Sequence, residues 1–281
     1  MLTDDAMRES SDRCLAAYLR HLAVTATGGR WLHDDRFLLF AGGHNYPGTY
    51  TNGAIRTSPM VTPAELLATA DEFFGEIGRP YMVWVRDHAD ADLEASLRRR
   101  GCWLRPPEAG NPGIAHDAAL PPEPIAPEVE VRVADNDEDF LAYRRVIAHG
   151  YQLPDADDDL IETVLFSLAS LQVPESKTVI ATYRGKPVAG CMSFMVGDEA
   201  GLQWAATLPE TRGKGLGLGR LVFERACNLS FEAGARCVSA LASAQGVPIW
   251  TAMGFRVITH YRRYLVTQHL EQRGGQRAGT L

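Results

Sequence analysis

A chain of 281 residues with 46% hydrophobic and 22% charged residues has the composition of a folded globular protein and the length for two domains, which excludes a disordered chain. The formal net charge of −7, with basic residues scattered, speaks against a nucleic-acid surface, and no apolar run reaches bilayer-spanning length. Five widely spaced cysteines without a CxxC pair, and eight histidines without HExxH or HxxxH spacing, predict inert thiols in a reducing compartment and no metal site.

The opening MLTDDAMRES is acidic and polar, unlike a secretory signal, so a cytoplasmic protein is expected. Asn52-Gly53 reads as a turn. An apolar stripe of Leu66, Ala70, Phe73, Phe74 and Ile77 predicts a helix stopped by Gly78. Tyr81–Val85 reads as a strand, and Asp90–Arg100 as a helix stopped by Gly101. Its basic run Arg98-Arg99-Arg100 suits a helix C-terminus rather than a nucleic-acid patch.

Seven of the sixteen prolines fall between Pro106 and Pro127, which reads as linker, although Gly113–Ala119 has room for a last strand of the first domain. Alternating Val129, Val131 and Val133 predict a strand, and Asp135–His149 and Asp157–Leu171 two helices. Strands follow at Lys177–Tyr183, Val188–Val196 and Glu199–Thr207. Gly215–Ala233 is a helix with Gly234 as its stop, and Arg236–Ala242 a strand. A short helix ends near Gly254-Phe255, Val257–Val266 is a last strand, and Gly274–Leu281 a loose tail. The helix–Gly–strand–helix–Gly order occurs twice at similar spacing, a faint internal repeat. The expected fold is α/β of the α+β type, with helices flanking a mixed, mostly antiparallel sheet.

The chemistry concentrates at Gly213, Gly215, Gly217 and Gly219, between a strand and a helix. Alternating glycines permit positive φ and close approach of a ligand, and the helix start offers unpaired amides and a positive dipole end. With Arg212 and Lys214 this makes an anion site suited to a pyrophosphate. The dinucleotide fingerprint fails because Leu218 and Arg220 stand where its third glycine is needed, and the Walker loop fails because Gly215 follows Lys214.

The run Thr207-x-Pro209-x-x-Arg212-Gly213-Lys214-Gly215-Leu216-Gly217, with the later Met253-Gly254-Phe255 turn, resembles the signature of the GCN5-related N-acetyltransferases (GNAT). The resemblance covers roughly Val129 to Val266. It implies a site for acetyl-CoA as substrate and an amine acceptor that attacks the thioester directly in a ternary complex. Backbone groups of Ala205, Ala206 and Thr207 would pair with the pantetheine arm, on a strand splayed from its neighbour. Amides from Gly213 to Leu218 would hold the pyrophosphate, and an amide near Ala205 the oxyanion. A tandem arrangement is implied as well: residues 1–120 a degenerate GNAT-like domain, 121–128 a linker, 129–267 the acetyl-CoA domain, and 268–281 a flexible tail. The stretch Thr57–Pro63 before the first-half helix has no glycine, so that half is expected to bind no cofactor. Monomer or homodimer is expected, with neither nucleic acid nor membrane as partner.

This sequence departs from the family pattern at its catalytic positions. Trp250 stands where many members carry the Tyr acid, and an indole is no general acid in water. Ser243 replaces a frequent Asn, and Val238 and Gly201 occupy two places of glutamate bases. The catalytic residues are therefore left unassigned. Tyr261, Tyr264 and His260 are candidate donors better explained by packing, and Glu199 is a candidate base in an expected hairpin turn. Trp250 leaves a non-catalytic acetyl-CoA-binding module as the alternative. The acidic run Asp155–Asp159 lacks the glycine and glutamate of an EF-hand. It reads as helix capping, with attraction of a cationic amine as its functional alternative. His149 just before it reads as a solvated helix-end residue.

Overall fold

The computed structural model describes residues 1–44, 50–151 and 166–270. The chain forms two compact units, one of residues 1–18 and 113–258, the other of residues 19–112 and 259–281. One boundary, Pro112/Gly113, lies inside the proline-rich stretch, and the other two fall within the first helix, Asp4–Thr25, and the last strand, Arg256–Val266.

The first half runs α1 (Asp4–Thr25), β1 (Arg30–His33), β2 (Phe37–Ala41), β3 (Asn52–Arg56), α2 (Pro63–Ile77), β4 (Tyr81–Arg86), α3 (Ala91–Arg99), β5 (Trp103–Leu104) and β6 (Asn111–His116). The second half runs β7 (Val129–Val133), α4 (Asp137–Tyr151), α5 (Leu168–Leu171), β8 (Ser176–Tyr183), β9 (Lys186–Val196), β10 (Glu199–Thr207), α6 (Leu218–Glu232), β11 (Cys237–Leu241), α7 (Val247–Ala252) and β12 (Arg256–Val266).

In the unit built on the second half, the strands lie in the order β6-β11-β10-β9-β8-β7. All neighbours are antiparallel except β10 and β11, which are parallel and joined by α6. The core beneath α6 is formed by Val179, Cys191, Ala200, Leu202, Val222, Phe223, Cys227, Val238 and Phe255. The start of α1 belongs to the same unit: Met7 packs with Ala115, Cys237 and Ile258. In the other unit, β1, β2 and β3 are antiparallel, β3 and β4 are parallel and joined by α2, and β12 pairs antiparallel with β4. Its core gathers Leu39, Phe74, Val83, Val85, Leu93, Leu97 and Tyr264.

The repeat is therefore structural. Each unit has an antiparallel meander, then a helix, then a parallel strand. The helix stops match too: Gly78 and Gly234 both take positive φ, closing their helices through Arg79 N–H to the Phe74 carbonyl and Ala235 N–H to the Ser230 carbonyl. The outer partner of each parallel strand comes from the other half of the sequence. Gly113–His116, read as a last strand of the first domain, pairs with β11. Tyr261–Val266, assigned by sequence to the second domain, pairs with β4.

Two local expectations also change. Asn52-Gly53 is no turn but the start of β3; a Cβ on Gly53 would stand 2.6 Å from the Phe40 ring, so the glycine serves close packing. The second-half helix starts at Leu218, and Gly215 and Gly217 stay in the loop with left-handed backbones. The acidic run Asp155–Asp159 and the tail from Gly274 lie outside the described residues, as does most of the helix expected over Asp157–Leu171. Among the described residues no helix is long and apolar enough to cross a membrane.

Candidate functional site

Pairing between β10 and β11 runs from Glu199↔Cys237 to Leu202↔Ala240, yet β10 continues to Thr207. Beyond Leu202 its edge towards β11 is therefore released, while its other edge stays bonded to β9 through Ala206↔Gly190 and Thr207↔Ala189. Between Gln203↔Met192 and Ala206↔Gly190 the strand carries one extra residue, a β-bulge. Trp204 sits in this bulge with φ +52, a left-handed conformation costing an ordinary residue roughly 1–2 kcal/mol.

The strained bulge is held by the side chains around it. The Trp204 indole N–H donates to the Tyr18 hydroxyl of α1 at 2.8 Å, and the Tyr143 hydroxyl of α4 donates to the Trp204 carbonyl at 3.4 Å. Phe166 meets the indole edge-on at 4.9 Å. The Tyr151 hydroxyl donates to the next carbonyl, that of Ala205, at 3.1 Å. Helix α4 can lie this close because of two glycines. A Cβ on Gly150 would stand 2.7 Å from that of Ala206, and one on Gly190 would stand 2.6 Å from the Tyr143 ring.

After Thr207 a single 3₁₀ turn, Pro209–Thr211, leads into the glycine loop. Gly213, Gly215 and Gly217 have φ of +71, +72 and +62, and a Cβ on any of them would meet nothing within 4 Å. Gly217 is the N-cap of α6 and brings no side chain to its first amides. Among the described residues, none accepts a hydrogen bond from the amides of Gly213 to Leu218. An exposed stretch of undonated N–H groups at a helix start is an anion cradle. Lys214 is exposed beside it, and Leu218 is buried in the core.

Arg212 is exposed and engages two backbone carbonyls. Its guanidinium donates to the Thr207 carbonyl at 2.9 Å and to the Gly150 carbonyl at the end of α4. It braces the loop against β10 and α4. Gly219 lies within α6, and its Cβ would stand 3.3 Å from the Thr207 hydroxyl.

The remaining candidates are accounted for by packing. Trp250 of α7 is stacked on Phe223 at 3.8 Å and 14°, and Ser243 accepts from the Gly246 amide at 3.1 Å. Glu199, read as a candidate base in a hairpin turn, pairs with Val196 across the Gly197-Asp198 turn, and its buried carboxylate accepts from Arg13 Nε and Nη2 at 3.0 and 2.6 Å. That pairing raises the Arg13 guanidinium further above its usual range. A Cβ on Gly201 would press on Gln203 at 2.9 Å, and Val238 is core. Tyr261, Tyr264 and His260 belong to the other unit; Tyr261 is fully buried and Tyr264 donates to Glu94 at 2.7 Å. Burial and Glu94 push the Tyr264 phenol up to about 12. His149 is exposed on α4. Among the described residues no group of three His, Cys, Asp or Glu is placed to hold a metal ion.

Sequence reading missed Tyr18, Tyr143, Tyr151 and Trp204. Only Trp204 left a signal, as one large aromatic before the small pair Ala205-Ala206. The three tyrosines lie on helices whose contacts with β10 span long sequence separations.

The corresponding place in the other unit is built differently. Parallel pairing ends at Ile55↔Trp84, and the next residue, Arg56, is buried with its guanidinium on Asp90, Asp92 and the Ala89 carbonyl. Helix α2 begins with Pro63, and the Thr62 hydroxyl accepts from the Glu65 amide. Its N-terminus is thus already capped by its own chain.

Among solved structures, the chain is similar to a GCN5-related N-acetyltransferase from Kribbella flavida, at 18% identity and TM-score 0.69 over 90% of this chain and 94% of that one. It is similar to another from Sphaerobacter thermophilus, at 11% identity and TM-score 0.57 over 83% and 80%. A tandem GNAT protein from the clavulanic acid biosynthesis pathway aligns at 15% identity and TM-score 0.53 over 82% and 78%. No protein-family model and no curated protein matches the sequence. At these identities the likeness is one of fold: two GNAT-like units, each a mostly antiparallel sheet flanked by helices.

Proposed function

Taking the tandem GNAT fold as premise, we propose that this protein is an acetyl-CoA-dependent N-acetyltransferase. It transfers the acetyl group to an amine of a small molecule or protein by direct attack in a ternary complex. The observation that carries this reading is the release of β10 from β11 after Leu202, followed by the bulge and by a glycine loop opening on α6. The three features come in the order in which acetyl-CoA presents its thioester, pantetheine and pyrophosphate.

In this reading the pantetheine arm pairs with Ala205, Ala206 and Thr207, in the place β11 has vacated. The pyrophosphate lies on the amides of Gly213, Lys214, Gly215, Leu216, Gly217 and Leu218. Lys214 supplies charge, and Arg212 acts indirectly by holding the loop. The Ala205 amide faces the thioester oxygen. A donor fixed beforehand where negative charge develops stabilises the transition state without reorganisation. Holding both reactants together supplies much of the remaining rate. The first-half unit binds no cofactor in this reading, in keeping with Arg56 beyond the last strand pair and Thr62 on the α2 amides. The cytoplasm suits five buried, unpaired cysteines.

The stacking of Trp250 on Phe223 favours a second reading, a module that binds acetyl-CoA without transfer. Calorimetry with acetyl-CoA and a thiol-release assay with an amine panel separate the two. Binding with CoA release supports the transferase. Binding without release from any amine leaves the module, and no binding removes both. Gly215→Glu places a carboxylate in the anion cradle and is expected to abolish binding; unchanged affinity would refute the placement.

A further inference from the structure

Two tyrosines of α4 reach consecutive carbonyls of the bulge, and they differ in access to water. Tyr143 is fully buried, and burial drives its phenol well above the ordinary value. Its hydroxyl braces Trp204. Tyr151 is 43% exposed, with its ring edge-on to the Trp204 indole at 5.5 Å and its hydroxyl 3.1 Å from the Ala205 carbonyl. This phenol therefore stands on the residue whose amide the transferase reading assigns to the thioester, and water reaches it.

Three other side chains near β10 are placed by hydrogen bonds or stacking. The Tyr18 hydroxyl accepts from the Trp204 indole and is buried. Ser243 accepts from Gly246, and Trp250 is stacked on Phe223.

We propose that Tyr151 is the general acid of the transfer, a role that rests on the N-acetyltransferase reading above. The acceptor nitrogen forms the new C–N bond with its lone pair, and the carbonyl π electrons move to the oxygen facing the Ala205 amide. Collapse restores the C=O bond and breaks the C–S bond, the sulfur leaving with the bonding pair. That pair takes the Tyr151 Oη proton, giving free CoA thiol. The phenolate regains a proton through water from the nitrogen, which sheds one as the amide forms, so no net proton is gained or lost. The contact with the Ala205 carbonyl positions the phenol between turnovers. The acid works only while protonated, so the rate falls as pH rises through its pKa.

The test compares wild type, Tyr151→Phe and a protein carrying 3-fluorotyrosine at position 151, using acetyl-CoA and the best amine of the panel. Tyr151→Phe keeps the ring against Trp204, and a thermal melt checks that it folds as wild type does. The expected result is a loss of about 10²-fold in kcat, the usual scale for a general acid, with acetyl-CoA affinity by calorimetry unchanged. The basic limb of the kcat profile disappears in Tyr151→Phe and moves to lower pH with the more acidic fluorinated phenol. Full turnover by Tyr151→Phe, or a basic limb that fluorination leaves in place, overturns the assignment while leaving the transferase reading intact. Lost acetyl-CoA binding in Tyr151→Phe also overturns it, making the residue part of cofactor binding. A wild-type protein that binds acetyl-CoA but acetylates no amine removes the transferase reading, and this role with it.

Discussion

Gly217→Ala isolates the backbone requirement of the glycine loop. Gly217 has φ +62 and ψ +15, and an added Cβ meets nothing within 4 Å, so the substitution brings strain without a clash. An L-residue held in this left-handed conformation costs roughly 1–2 kcal/mol. The loop is exposed, so the chain can relieve the strain by turning the peptide out of its cradle shape, at little cost to the core. The cost then appears in ligand binding, where roughly 1–2 kcal/mol corresponds to a Kd raised about 5- to 30-fold. Isothermal calorimetry with acetyl-CoA on wild type, Gly217→Asn and Gly217→Ala reads it directly. Asn tolerates the left-handed region better than Ala, so affinity should fall in the order Gly, Asn, Ala. D-alanine introduced at position 217 by semisynthesis has the opposite preference and should bind like glycine. Equal affinity of Gly217→Ala and wild type would refute the argument that left-handed amides form the anion site.

Trp250→Tyr puts a phenol back at the family's usual position, but a ring stacked on Phe223 at 3.8 Å cannot aim its hydroxyl at a leaving thiolate; kcat should not rise in a CoA-release assay. Arg13→Ala strips the bidentate partner from Glu199, whose side chain is only 4% exposed, leaving Arg236 at 3.4 Å. Removing one partner of a buried pair costs about 3–5 kcal/mol, and with Arg13 itself half exposed about 2 kcal/mol is expected, read as a lowered Tm. Arg132 hydrogen-bonds the Asp139 carboxylate and holds it below its ordinary range. The folded state thus binds this proton less readily than the unfolded chain. The contribution is complete above about pH 5 and is lost as pH falls through the depressed value. Denaturant titrations at several acidic pH values should show this loss in wild type and not in Arg132→Ala.

The glycine loop was legible because glycine in an alternating run states its backbone requirement directly: Gly213, Gly215 and Gly217 all take positive φ. The helix stops at Gly78 and Gly234 were legible for the same reason. Strand partners were not. Periodicity marks Val257–Val266 as a strand but says nothing of which neighbour it bonds, so its pairing with β4 required the structure. The bulge was hidden too, since Trp204 reads as one more strand residue until its register against β9 is known. Glu199 sits at the hairpin its sequence marks, but its ion pair was hidden because Arg13 lies far away in the sequence. Asn52-Gly53 misled because a glycine required by the Phe40 ring leaves the same mark as one required by a turn.

The exchange of β6 and β12 between the halves of the sequence bears on what a truncation would remove. A deletion that removed residues 1–120 would take away Gly113–His116, the strand that completes β11. The retained half would be left with β12, whose Tyr261–Val266 stretch would have lost β4. Bare strand edges of this kind invite aggregation. Truncation at the proline-rich stretch therefore harms the half it was meant to spare. The two halves of the sequence are tied by the strands they exchange, Gly113–His116 in one direction and Tyr261–Val266 in the other.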